Sequence, residues 1–303
     1  MSDLLILFSN NILPIFLAAG SGYLLAKILK VSPRPVSQVA FYIFSPCLIF
    51  NLLTTSELSG QDITRMAGFT VATVLLMGGI TWALGRLFRL ERRLLVAVLL
   101  TTMFNNSGNY GLSLNLFAFG ETALAHASLY FVTMAILVYT LGVIIASLGT
   151  SGIREALLGL VKVPAIYAVV FAFLFNGLEW QLPLPVNRTV SLLGNAAIPM
   201  LMVLMGIQLG HAQWNGQTLA LTITNSLRLL AGPALALGLA LIFGLQGVAW
   251  QAGVSESAMP TAVVTTVLAT EYNVEPSFVS TVVVVSTLLS PITVTPLLAY
   301  LGA

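Results

Sequence analysis

The sequence predicts an all-α membrane protein of ten transmembrane helices, arranged as two inverted five-helix repeats with broken helices at spans 4 and 9. Composition is the first reason: of 303 residues, 58% are hydrophobic and only 7% charged, and the mean hydropathy of +0.98 excludes an ordinary soluble domain. The second is a polar heptad, NNSGNYG at Asn105 to Gly111, inside an apolar run long enough to span a bilayer. A third is SESAMP at Ser255 to Pro260, which interrupts another such run. Lipid supplies no water for freed backbone groups, so unwound segments at that depth persist only against protein or a wet cavity. Interruptions at matching places in two halves point to the binding site of a secondary transporter.

At about 20 apolar residues per crossing, the chain divides into spans at roughly 4 to 28, 35 to 54, 63 to 88, 93 to 119, 122 to 148, 157 to 177, 187 to 209, 218 to 243, 247 to 271 and 276 to 300. Span 1 lacks the basic flank and small-residue cleavage site of a secretory signal and is expected to be retained. Span 2 contains Pro46, which is expected to bend it toward the core. Lys27, Lys30 and Arg34 follow span 1, Arg86, Arg89, Arg92 and Arg93 follow span 3, and Arg154 and Lys162 follow span 5. The intervening loops offer little beyond Arg65 and Arg188, so the positive-inside rule predicts that both termini face outward. No polar tail or low-complexity linker suggests a separate module, and one membrane domain is expected over 1–303.

Landmarks define the repeats, 1–150 and 151–303. Pro14, Pro46 and Gly111 answer to Pro164, Pro199 and Pro260, each pair about 150 residues apart. SPCLIF at Ser45 to Phe50 parallels IPMLMV at Ile198 to Val203, and GET at Gly120 to Thr122 lies where ATE stands at Ala269 to Glu271. Each unit holds an odd number of spans, so the second copy must enter the membrane upside down.

The FYIFSPCLIFNLL segment of span 2, the FNNSGNYGLSL interruption and the break at AMP together resemble the auxin efflux carrier family along the full chain. A more distant similarity to bile-acid sodium symporters lies in VVVVSTLLSPITVTP at Val282 to Pro296 and in Glu256 just before the second break. The resemblance implies a scaffold of spans 1, 2, 6 and 7, a moving core of spans 3 to 5 and 8 to 10, a crossover of spans 4 and 9 at their breaks, and a homodimer through the scaffold. Many plant members have a long central cytoplasmic loop that this chain lacks.

Asn105, Asn106, Ser107 and Asn109 place amides and a hydroxyl beside Gly108 and Gly111, which permit unwinding and close backbone approach. Such amides bind a carboxylate or cap exposed backbone equally well, without a permanent buried charge. The half-helix starting near Gly111 aims free N–H groups at the break, which favours an anion. Pro260 breaks span 9 by removing a donor, with Thr261, Thr265 and Thr266 beyond it. Glu256, an acid inside a span, is a candidate for proton or sodium coupling, or else a partner of Arg228. Arg228, near the middle of span 8, needs an anion or water, either a bound substrate or Glu256. Asn51 either lines the scaffold side of a cavity or makes an interhelical hydrogen bond. Glu121 and Glu271 are expected at helix ends or gates.

Other chemistries find little support. Cys47 is the one cysteine, excluding an internal disulfide and a Cys-based metal site, while His126 and His211 are isolated. Cofactor motifs are absent, no enzyme is indicated, and the basic residues follow topology rather than nucleic-acid binding. The expected activity is therefore carriage of small organic anions by alternating access in a bacterial inner membrane, with lipid as the surrounding partner. Sodium-coupled symport through Glu256 and a membrane sensor that binds ligand without moving it are the alternatives.

Overall fold

The computed structural model describes residues 2–55, 58–147, 164–212 and 217–303. Arg154 and Lys162, used above for orientation, lie outside the described residues. The architecture is all-α: α1 (Asp3–Ile28), α2 (Pro33–Thr55), α3 (Gly60–Leu87), α4 (Arg92–Met103), α5 (Ser107–Ala146), α6 (Pro164–Gly177), α7 (Leu184–Gly210), α8 (Thr218–Ile242), α9 (Gly247–Ser257), α10 (Val264–Glu271) and α11 (Pro276–Leu301). Among the described residues, seven helices (α1, α2, α3, α5, α7, α8 and α11) are long and apolar enough to cross a membrane. Exposed Ile28, Leu87, Leu192, Leu241 and Ile242 supply part of a lipid-facing surface that water would not tolerate. The protein is a multi-pass membrane protein.

Spans 4 and 9 take the form their sequences foretell. Span 4 divides into α4 and the first part of α5, and span 9 into α9 and α10, with short non-helical links between. One boundary differs from expectation, because spans 4 and 5 run on as the single element α5. Gly120, at φ 80° and ψ −170°, breaks it internally. That backbone conformation is costly for any residue with a Cβ, and here it turns the chain without a connecting loop.

Two groups of helices pack chiefly within themselves. In one, α1 lies along α7 and α2 packs on α6 and the start of α7. The α1–α7 contact depends on small residues: a Cβ at Gly206 would overlap the Ala19 carbonyl, and one at Gly22 would overlap the Val203 carbonyl. Without a hydrophobic force between helices in lipid, such close backbone approach is what holds two of them together. In the other group, α3 packs on α4 and α5, α9 on α5 and α8, and α11 on α4 and α10.

Gly206→Val should therefore separate α1 from α7. Overpacking of this kind costs about 1–3 kcal/mol, and the variant should show a clearly lower thermal unfolding temperature in detergent, whereas Gly20→Ala, with open space at its Cβ, should not.

Candidate functional site

The two breaks meet. Asn105 and Thr261 form an isolated antiparallel β-bridge, in which Asn106 N–H donates to Pro260 O at 2.7 Å and Ala262 N–H donates to Phe104 O at 2.9 Å. Each unwound segment thus satisfies the backbone of the other, as a dry environment requires. Side chains complete the junction. Thr261 Oγ1 donates to Thr101 O at 2.8 Å, and its N–H donates to Ser286 Oγ on α11 at 3.1 Å. Beyond the bridge, the Thr265 and Thr266 hydroxyls donate back to Ala262 O and Val263 O.

Three asparagines leave the first break in different directions. Asn105 Nδ2 donates to the Tyr130 hydroxyl at 3.1 Å and to Glu256 O, while its Oδ1 has no hydrogen-bond partner. Asn106 Nδ2 reaches the Met205 sulfur at 3.6 Å and Asn109 Nδ2 donates to Gln208 Oε1 at 3.1 Å; both acceptors are on α7. A π-helical turn, Ser107–Gly111, opens α5 at this point and widens the backbone beside the break.

All three asparagines line one cavity of about 220 Å³ together with Ser107, Gly108 and Gln208. The rest of its wall includes Ser37, Gln38, Phe41 and Tyr42 of α2, Phe131, Met134, Val138 and Tyr139 of α5, and Val263, Val264 and Val267 around the start of α10. Among the described residues, no charged side chain lines it. Both post-break helices begin at this cavity, so two partly positive helix ends converge on it.

Glu256 and Arg228 are buried beside the crossover but outside the cavity lining. Glu256 Oε1 accepts from Asn115 Nδ2 at 3.1 Å, and Asn115 Oδ1 in turn accepts from Ser255 Oγ at 2.8 Å. Its Oε2 has no hydrogen-bond partner and lies where a Cβ on Gly111 would project. Position 111 thus needs glycine because the carboxyl occupies that space. The Arg228 guanidinium donates to Thr102 O at 2.7 Å and to Ser257 O, so its hydrogen bonds go to backbone rather than to Glu256.

Asn51 also lies outside the cavity lining; its Oδ1 accepts from Ser191 Oγ of α7 at 3.1 Å, the interhelical bond that was the other expectation. Glu121 directly follows the Gly120 break and Glu271 ends α10, both exposed. Sequence reasoning passed over Gln208, Asn115 and Tyr130. A signal existed for Asn115, one helical turn beyond Gly111, but Gln208 reads as an ordinary helix end. Among the described residues, no group of three His, Cys, Asp or Glu side chains is placed to hold a metal ion.

Residues 7–298 match the family described as Membrane transport protein. An uncharacterized transporter of Methanothermobacter thermautotrophicus is 26% identical over 288 residues, covering 93% of this chain and 94% of that protein. One from Methanocaldococcus jannaschii is 24% identical over 270 residues, covering 84% and 85%. Auxin efflux carrier component 8 of Arabidopsis thaliana is 30% identical over 128 residues, 41% of this chain and 35% of the plant protein.

Asn105→Ala would remove one hydrogen bond from the buried Tyr130 hydroxyl, which keeps its contact with Ser257 Oγ, and one from Glu256 O, which keeps the Met259 N–H, at about 0.5–1.5 kcal/mol each. Asn106→Ala gives up only a weak thioether acceptor. Thermal unfolding should therefore fall measurably further for Asn105→Ala than for Asn106→Ala; equal shifts would contradict this ranking.

Proposed function

The chain belongs to the Membrane transport protein family, that of the auxin efflux carriers, and from this membership we propose that it carries small organic anions across the membrane by alternating access. It is a transporter and not an enzyme. The observation that carries the anion assignment is the cavity: three asparagine amides at the converging starts of two half-helices, with no fixed charge among the described lining residues. Amide donors and helix N-termini hold a carboxylate while leaving it able to depart.

Cavity chemistry also favours one carboxylate over two. With the head group on the amides of Asn106 and Asn109, since both Asn105 N–H groups are already engaged, the rest of the molecule lies against Phe41, Phe131, Val138 and Val263. A second carboxylate there would give up its water for neutral partners such as Gln38 and Ser37, with no cation in the described lining to balance it. The preferred substrate is a monocarboxylate with an apolar body.

In this account the ten crossings form two inverted repeats, and α1, α2, α6 and α7 are the scaffold against which the remaining helices move. The Asn106–Met205 and Asn109–Gln208 contacts cross that boundary and exchange for substrate contacts. Ser37 and Gln38, at the start of α2, line the cavity near Lys27, Lys30 and Arg34. By the positive-inside rule this side is cytoplasmic, so the conformation faces inward and the termini are outside, in the inner membrane of a bacterial cell. Assembly is a homodimer through the scaffold. Gly108, Gly111 and Pro260 shape the crossover.

Glu256 is the coupling group in this proposal. Its partnerless buried oxygen favours a second reading of the energetics, in which sodium rather than a proton accompanies the anion.

Proteoliposomes loaded by separately imposed proton, sodium and voltage gradients test both points. Radiolabelled indole-3-acetate or a branched aliphatic monocarboxylate should accumulate faster than succinate. Asn109→Ala should lower the initial rate about tenfold, the value of one charge-assisted hydrogen bond, while remaining folded. Binding without flux would leave a ligand sensor and refute the carrier. Unchanged accumulation with potassium in place of sodium would remove sodium coupling, and Glu256→Gln transport that still follows the proton gradient would remove Glu256 from the coupling step.

A further inference from the structure

Arg228 lies in a π-helical turn of α8, Leu227–Ala231, with 2% of its surface exposed. Its terminal nitrogens reach two different helices: Nη1 donates to Thr102 O and Nη2 to Ser257 O. Thr102 is in the last turn of α4 and Ser257 is the last residue of α9. Both carbonyls therefore belong to the C-terminal ends of half-helices that stop at the crossover, where the intrahelical donors run out.

Charge bookkeeping gives this arrangement its significance. A helix C-terminus carries roughly −0.5 of an elementary charge, so two of them side by side amount to about −1 and repel each other. One guanidinium, always protonated and forked, matches that sum and contacts both ends at once. Space is reserved for it: a Cβ on Gly232 would meet Arg228 Nη2 and crowd the Ser257 carbonyl. The adjacent carbonyl, Glu256 O, is held by Asn105. Consecutive carbonyls at the end of α9 are thus gripped by Arg228 and by a cavity-lining asparagine.

We infer that Arg228 is a built-in cation that fastens the C-terminal ends of α4 and α9 together and so sets where Asn105, Asn106 and Asn109 stand in the cavity. It is a positioning residue, acting through the crossover and not by touching substrate. The flux readout below rests on the carrier assignment, but the unfolding readout does not.

The test compares wild type with Arg228→Ala, Arg228→Lys and Arg228→Met, purified and reconstituted. Arg228→Ala should unfold at lower temperature, and millimolar guanidinium ion should move it back toward wild type, whereas tetramethylammonium, too large and without N–H donors, should not. In liposomes its initial rate of monocarboxylate flux should fall by about tenfold or more, as expected for losing a charge-assisted hydrogen bond, and guanidinium should restore it several-fold without changing wild-type flux. Wild-type unfolding and flux in Arg228→Ala would overturn the inference, as would a folded Arg228→Ala protein that guanidinium leaves unchanged in both assays. If Arg228→Ala cannot be isolated folded, the unfolding order should be wild type above Arg228→Lys above Arg228→Met. An Arg228→Met protein as stable as Arg228→Lys would overturn the need for charge. Absence of flux in wild type itself would defeat the carrier assignment and leave the unfolding comparison to decide the role of Arg228.

Discussion

Everything at the centre of this molecule follows from the cost of unwinding a helix where there is no water. Two chain segments are opened in the same place, and each becomes the hydrogen-bond partner of the other through the Asn105–Thr261 bridge. Neither break would be tolerable alone, because several backbone groups would be left bare in an apolar surrounding. The paired break is thus one structural unit formed from distant parts of the sequence. Its side-chain supports, Thr261 on Thr101 O, Ser286 on the Thr261 N–H and Asn105 on Glu256 O, all serve the same accounting.

Breaking two helices at one point also sorts their partial charges. The ends of α4 and α9 gather carbonyls on one side, where Arg228 is, and the beginnings of α5 and α10 gather N–H groups on the other, where the cavity is. An anion is favoured at the second place for the same reason that a cation is favoured at the first. Glu256 complicates the picture, since its carboxyl points toward the Gly111 side and is held by Asn115 rather than by the arginine. Glu256 and Arg228 are thus buried near one crossover with different side-chain hydrogen-bond partners.

The transmembrane helices were legible in the sequence because burial in lipid is written in one dimension, as long apolar runs. The predicted bounds of spans 1, 2, 3, 7, 8 and 10 fall within a few residues of helices in the structure. The breaks were legible too, since Asn–Gly clusters and proline are costly inside an apolar helix and stand out against it. What stayed hidden was pairing across the fold. Arg228 read as a residue awaiting an anion, yet its partners are backbone carbonyls, which no residue identity announces. Gln208 drew no notice, and Asn51 stayed open between a cavity wall and an interhelical hydrogen bond, because which face a side chain presents depends on packing angles that apolar α7 and α2 do not encode by periodicity. The turn at Gly120 escaped for a similar reason: a lone glycine in an apolar run gives no sign of its φ.

Bond strength is distributed in a way that suits the moving core of the proposed carrier. Within the crossover the links are backbone–backbone hydrogen bonds, a doubly bonded guanidinium and hydroxyls set on carbonyls. Toward α7, the asparagines meet only a thioether at 3.6 Å and a neutral amide at 3.1 Å. Thioether sulfur is a weak acceptor, and a neutral amide pair exchanges readily with water or ligand because its net worth is about 1 kcal/mol. Displacing those two contacts costs little, while opening the crossover would expose several buried polar groups at once. A body meant to slide past a partner must hold together more strongly than it holds on. In the proposed carrier the anion takes over the amide donors that α7 releases, so substrate binding and detachment from the scaffold become one exchange of hydrogen bonds.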